Sequence, residues 1–227
     1  MTSPPQPPHD PPHDPPSHPP HDSLHDSLHS TPAAVGAPQA LAFARAMTDA
    51  ESLAAAIHED VSLHAHDPAW ASIFEAERDR LTRLLPGTFV SIEHIGSTAV
   101  AGLPAKPIVD LLAAVESLDG VDALIERLCD NGYTTSREFN ASLVDRKWLM
   151  RWRNGHRTHH LHIVVAGGTP WRERLAFRDA LRGDPALAQR YAELKSGLAD
   201  TQRHDREAYT DAKATFVRNA AQRAREG

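Results

Sequence analysis

From residue 60 onward the apolar positions keep two alternating periods. Trp70, Ile73, Phe74, Leu81, Leu84 and Leu85 recur at helical spacing. Asp67-Pro68 supplies an N-cap and a first-turn proline for that helix, and Pro86-Gly87 stops it. VSLHA (61–65) and Thr88–Ile95 read as strands. Lys106–Val115 is a nearly continuous apolar run, as expected of a strand buried on both faces, interrupted by Asp110. Ser117 is expected to cap a helix bearing Val121, Leu124, Ile125 and Leu128, which ends at Asn131-Gly132. Two strands are expected next, Tyr133–Asn140 and Leu143–Trp152. Asn154-Gly155 is a hairpin signal and Arg157–Val165 the returning strand. The last third is helical, with starts at Thr169-Pro170 and Asp184-Pro185 and a final helix over Asp205–Arg223. This order predicts an α+β fold: a mixed β-sheet flanked by helices, with a helical C-terminal part.

Residues 1–38 carry none of this periodicity. Proline, histidine and aspartate repeat there with almost nothing apolar to bury, which predicts a disordered tail with polyproline II character. Its His-Asp pairs are able to take up Ni²⁺ or Zn²⁺ adventitiously. Residues 39–59 are alanine-rich with spaced Leu, Phe, Met and Ile, and predict an amphipathic helical extension. The folded domain is therefore placed at 60–224.

Charge and cysteine content narrow the partners. The net charge of −6 gives no general attraction to nucleic acid or anionic lipid, so neither is an expected partner. Basic residues do recur between Arg146 and Arg157. No apolar run is long enough to cross a bilayer, and no basic segment followed by an apolar one marks a secretory signal. The lone cysteine, Cys129, excludes an internal disulfide; a cytoplasmic setting is expected.

The chemistry concentrates in EHIGSTAV (93–100) and KPIVDLL (106–112). A strand leads into Gly96-Ser97-Thr98, and a buried strand carrying Asp110 follows. Glycine lets an anion approach the backbone, and the serine hydroxyl adds a donor. Such a turn is also an ordinary tight bend with Ser97 as a cap. Asp110 needs a metal or a cationic partner, for which Lys106, Arg146 and Arg151 are candidates. Alternation puts His160 and His162 on one face of their strand and His159 on the other, with Leu161 and Ile163. The pair offers metal ligands, a general base near neutral pH, or structural imidazoles. Lys106 and Arg146 are candidates to neutralise phosphate, and Lys213 is a further one. Trp148 and Trp152 read as core, with base stacking as an alternative. There is no G-x-S-x-G elbow, G-x-G-x-x-G fingerprint or G-x-x-x-x-G-K-[ST] loop.

HIGSTAVAGLPAKPIVDLLAAV, RTHHLHIVV, WRERLAFRDALR and DREAYTDAKATFV, in that order across Val61–Arg223, resemble the signatures of the GrpB (glutamate-rich protein B) family. The resemblance implies a nucleotidyltransferase-like fold. It implies a nucleoside triphosphate, or another phosphorylated small molecule, held at Gly96, Ser97 and Thr98, with Lys106 and Arg146 neutralising its charge. It implies a divalent metal, Mg²⁺ or Mn²⁺, on Asp110 with His160 and His162, and transfer of a nucleotidyl group to a small acceptor. Histidine ligands shift preference from Mg²⁺ toward Mn²⁺, Zn²⁺, Ni²⁺ or Fe²⁺. The superfamily pattern pairs two carboxylates two residues apart, and here position 112 is Leu112. That departure supports an alternative, a catalytically inactive nucleotide- or phosphate-binding module of the same fold. A metal-dependent hydrolase built on the histidines is a third class.

Overall fold

In the computed structural model, residues 62–201 and 206–226 are described, with Thr48, Glu51, Ala54 and Ala55 upstream of them. The expected tail at 1–38 and most of the expected extension at 39–59 lie outside the described residues. Within that extension Thr48 and Glu51 exchange the hydrogen bonds of a capping box, Thr48 N–H to Glu51 Oε2 (2.8 Å) and Glu51 N–H to Thr48 Oγ1 (3.3 Å).

The domain is α+β. Its five strands are β1 (Ser91–Ile95), β2 (Val109–Val115), β3 (Tyr133–Thr134), β4 (Arg146–Arg153) and β5 (His156–Val165), in the spatial order β1-β2-β5-β4-β3. β2 and β5 run parallel and the other pairs antiparallel. The helices are α1 (Ala69–Leu84), α2 (Val121–Cys129), α3 (Arg137–Ser142), α4 (Thr169–Gly183), α5 (Pro185–Thr201) and α6 (Arg206–Glu226), with a 3₁₀ turn at Ser97–Ala99. No described helix is long and apolar enough to cross a membrane.

β2 is the centre of the packing, as its apolar run predicts. Val109, Leu111, Ala113 and Val115 point into the main core. There they meet Leu149, Leu161 and Ile163 of β4 and β5, Trp70, Phe74 and Leu81 of α1, and Val121 and Leu128 of α2. Leu112 points to the other face, where it packs with Ile95 and Val164 under Trp171 and Leu175 of α4. Burying a leucine of this kind contributes about 1.5–3 kcal/mol. A third cluster ties Val100 and Leu103, after the 3₁₀ turn, to Phe177 and Leu181 of α4, Tyr191 of α5 and Ala220 and Ala221 of α6. The β4–β5 hairpin turns at Asn154 (φ 52°) and Gly155 (φ 76°), the two left-handed positions of a type I′ turn.

Three expectations are corrected. The strand expected over Tyr133–Asn140 stops at Thr134, and Ser136, whose Oγ accepts from Phe139 N–H (3.2 Å), starts α3. Asn140 takes the place of further strand pairing: its Oδ1 accepts from Trp148 N–H (2.8 Å), and its Nδ2 donates to Trp148 O (3.0 Å) and Thr135 Oγ1 (2.6 Å). Of the strand expected at 61–65, the described residues 62–65 make one bridge, His64 with Ala105. Ser117 bonds Asp119 within the preceding loop, and α2 starts after Gly120 (φ 70°). The strand starts also move inward, to Ser91, Val109 and Arg146, while β5 begins one residue early.

Candidate functional site

Strand register brings the site together. In the parallel β2–β5 pair Asp110 lies beside His160 and Leu112 beside His162. Because side chains alternate, Asp110, His160 and His162 emerge on one face. His160 Nδ1 is 2.9 Å from Asp110 Oδ1, and His162 Nε2 is 4.0 Å from the same oxygen. One potential ligand atom from each residue lies within 4.8 Å of the others. The side chains keep 13% (His160), 15% (His162) and 26% (Asp110) of their exposure, so the cluster is recessed yet reachable. It opens into a cleft of about 840 Å³ that is also lined by Gly96, Ser97, Thr98, Lys106 and Arg146.

The Gly-Ser turn abuts the carboxylate. β1 pairs Ile95 with Asp110, and the chain then turns at Gly96 with φ 73° and ψ −172°. A Cβ at position 96 would overlap Asp110 Oδ2 and stand 3.1 Å from its Cγ. Glycine is required there twice, by backbone conformation and by this contact. Thr98 is buried, and its Oγ1 is 3.0 Å from His94 Nε2. His94 stacks on Phe74 (4.7 Å between centroids), and burial holds its pKa down to about 4. Thr98 and His94 thus brace the turn from below.

Charge at the cluster is set by burial and its neighbours. Burial alone would raise the Asp110 pKa. The His160 hydrogen bond, then the charges of His160, His162 and Arg174, hold it below the usual carboxylate range. His162 is pushed well below the ordinary imidazole range by burial and then by Arg174, and its Nδ1 is buried without a hydrogen-bond partner. Arg146 pairs with Asp145 (3.0 Å).

The remaining candidates divide between the two faces. Arg151 and His159 are on the far side of the sheet, beside Glu77. Glu77 is 3% exposed and accepts from Arg80 (2.7 Å), Tyr133 Oη (2.6 Å) and Arg151. Burial lowers the His159 pKa to about 4. Trp148 is in the cleft wall rather than the core, 5.4 Å from the His160 ring and 5.6 Å from that of Phe139. Lys213 also lines the cleft, and Arg157 covers the Trp152 ring at 5.8 Å.

Two residues at this cleft were not singled out from the sequence. Lys195 of α5 is 2% exposed; its Nζ donates to Ser97 Oγ (3.0 Å) and to Pro104 O, and lies 4.8 Å from the Tyr191 ring centroid. Burial, then the Lys213 charge, brings its pKa to about 7. Arg174 of α4 lines the cleft and has its Nε buried without a hydrogen-bond partner. The available signal for Arg174 was spacing: Arg174, Arg178 and Arg182 recur every four residues, on one helical face. Lys195 had no local signal, because only tertiary packing carries it to Ser97.

Residues 60–223 match the family model described as GrpB protein. The chain belongs to the GrpB family. It is 34% identical over 166 residues to the glutamate-rich protein GrpB of Alkalihalophilus pseudofirmus, covering 70% of this chain and 92% of that one. It is 33% identical over 165 residues to the UPF0157 protein YqkA of Bacillus subtilis, covering 73% of this chain; the match spans 47% of YqkA, about half its length. Among solved structures it is similar to the conserved protein GrpB from Enterococcus faecalis, with 36% identity, a TM-score of 0.65, and coverage of 72% of this chain and 96% of that one.

Proposed function

We propose that this GrpB-family chain is a metal-dependent nucleotidyltransferase. It takes a nucleoside triphosphate, or another phosphorylated small molecule, at the Gly96-Ser97 turn and transfers a nucleotidyl group to a small acceptor. The observation that carries this reading is the convergence of Asp110, His160 and His162 against Gly96 in an open cleft. Two ligands bound at about 2.1 Å to one ion at tetrahedral or right angles stand roughly 3.0–3.4 Å apart. Asp110 Oδ1 is 2.9 and 4.0 Å from the two histidine nitrogens and all three ligand atoms lie within 4.8 Å, so small side-chain rotations would let them share a divalent ion. Two imidazoles and a carboxylate favour Mn²⁺ or a later transition metal over Mg²⁺. Such an ion supplies Lewis-acid polarisation of a phosphoryl oxygen.

The chain's own groups do the rest. Gly96 admits a phosphate to the backbone, and Ser97, held by Lys195, offers its hydroxyl. Lys106 and Arg146 supply positive charge in the cleft. The acceptor oxygen bonds to the α-phosphorus while the bond to pyrophosphate breaks. The acceptor proton leaves to solvent in the open cleft; burial keeps His162 unprotonated near neutral pH, the form that holds an ion.

The test is pyrophosphate release across a panel of nucleoside triphosphates and acceptors with Mn²⁺, Mg²⁺ or Zn²⁺. Release that disappears in a folded Asp110→Asn variant is the expected result. One observation favours the inactive binding module: Leu112, at the position of a second carboxylate, is fully buried among Ile95, Val164, Trp171 and Leu175. Tight nucleotide binding by calorimetry without turnover would select that module. Neither binding nor release would overturn both.

A further inference from the structure

The three arginines on one face of α4 are treated differently by the fold. Arg178 donates to Glu93 Oε2 (2.9 Å) and His94 O (3.2 Å), and Arg182 donates twice to Ala99 O (3.0 and 2.8 Å). Both fasten α4 to β1 and the 3₁₀ turn. Arg174, one turn earlier, has no hydrogen bond or ion pair among the described residues, and its Nε is shut off from solvent. Its Nη groups keep access to the cleft, but a guanidinium buried at Nε with no protein acceptor is costly to keep.

Its surroundings do not relieve it. Burial and then the like charge of Arg146 depress the Arg174 pKa, and the acids that act on it from a distance are Asp110, Asp145 and Glu173. Asp110 already bonds His160, and Asp145 pairs with Arg146. Two guanidiniums therefore line one cleft, Arg146 bonded to Asp145 through one nitrogen and Arg174 with no direct acceptor among the described residues, with Glu173 acting on Arg174 only through its charge. This pole is distinct from the one at the phosphate turn, where Lys195 reaches Ser97 and feels Lys213. Gly96 abuts Asp110, which lies beside His160; Arg146 lies beside Val164, four residues further along β5. At about 3.3 Å per residue the two levels are roughly 13 Å apart along the strand. His162 stands between them.

We propose that Arg146 and Arg174 form a second oxyanion subsite, which takes a carboxylate or phosphate carried by the acceptor. Assigning it to the acceptor rests on the nucleotidyl-transfer reading; the anion site itself does not. A planar guanidinium pair matches the two oxygens of a carboxylate or phosphate in a bidentate manner, which lysines do not. The acceptor is then an acidic small molecule placed across the metal cluster from the triphosphate.

The experiment uses the full chain and two probes, inorganic phosphate and malonate, in calorimetry and thermal unfolding. Arg174→Met is expected to raise the melting temperature of the free chain, because it removes a buried Nε without a protein acceptor and a like charge acting on Arg146. Arg178→Met, which breaks its two bonds to β1 and two more to Asp179, is expected to lower it. Wild-type protein should be stabilised by at least one probe, and Arg174→Met should weaken that binding about tenfold or more, equivalent to 1.4 kcal/mol. Mn²⁺ affinity should not fall, since the substitution removes a positive charge beside Asp110 and His162. Ser97→Ala should leave the Arg174-dependent phase intact, and preference between the probes assigns the acceptor's anion. A fall in melting temperature for Arg174→Met like that for Arg178→Met, or probe affinity indifferent to Arg174, overturns the subsite. Arg174-dependent anion binding without pyrophosphate release would fail the transferase reading alone. Release without Arg174-dependent binding would fail this proposal alone.

Discussion

The two faces of the sheet each carry a cluster of ionisable groups, built to opposite specifications. On the α1 face Glu77 is almost fully buried and its carboxylate is saturated by Arg80, Arg151 and Tyr133. On the cleft face Asp110 has one clear hydrogen bond, the buried His162 Nδ1 and Arg174 Nε have none, and Asp110, His160 and His162 keep part of their surface exposed to the cleft. Both clusters perturb pKa values, so perturbation alone does not separate a structural network from a ligand site. The central carboxylate does: Glu77 is bonded by three side chains, whereas Asp110 has one clear bond and faces an open cleft, and unpartnered ring nitrogens occur on both faces, at His159 Nε2 and His162 Nδ1.

Substitutions sharpen this contrast. Glu77→Ala should have the largest effect on stability, a loss of about 3–5 kcal/mol in urea unfolding, because it strands two arginines and a tyrosine. Mn²⁺ affinity of the variant that remains folded should be unchanged. Gly96→Ala should cost about 1–3 kcal/mol through its left-handed φ, and, by displacing Asp110, should also abolish metal binding. Asp110→Asn should change stability by no more than about 1 kcal/mol, since a surface-accessible ion pair contributes little, yet should abolish metal binding by calorimetry. Equal stability losses for Glu77→Ala and Asp110→Asn would erase the distinction between the faces.

Acid titration gives the most graded effect. His94 and His159 have folded pKa values of about 4 against an ordinary value of 6.5. Below pH 6.5 the unfolded chain binds protons that the folded chain refuses. Their contribution to stability should therefore decline from pH 6.5 to pH 4 and then level off. Thermal midpoints measured across that window should show a shallower decline in His159→Gln.

Much of the site was legible in the sequence because strand alternation is a local rule. The apolar run around Asp110, the parity of His160 and His162, and the glycine before Ser97 carry over directly into the structure. What failed was what long-range packing decides. Nothing within Tyr133–Asn140 shows that Asn140 will occupy the edge of β4 in place of backbone. The cover over Leu112 comes from Trp171 and Leu175, some sixty residues away in the chain. Lys195 reaches Ser97 across 98 positions. Arg174 had a periodic signal, but spacing cannot distinguish the arginine that lacks an acceptor from the two that have one.

The tight Asn154-Gly155 hairpin acquires a further meaning from what lies beyond it. Surface turns ordinarily tolerate insertions. Here a one-residue slip of β5 against β2 would carry both His160 and His162 to the Glu77 side and deliver a single imidazole, His159, with Leu161 into the cleft. The length of that bend is therefore a constraint on chemistry, enforced at a point that touches no part of the chemistry itself.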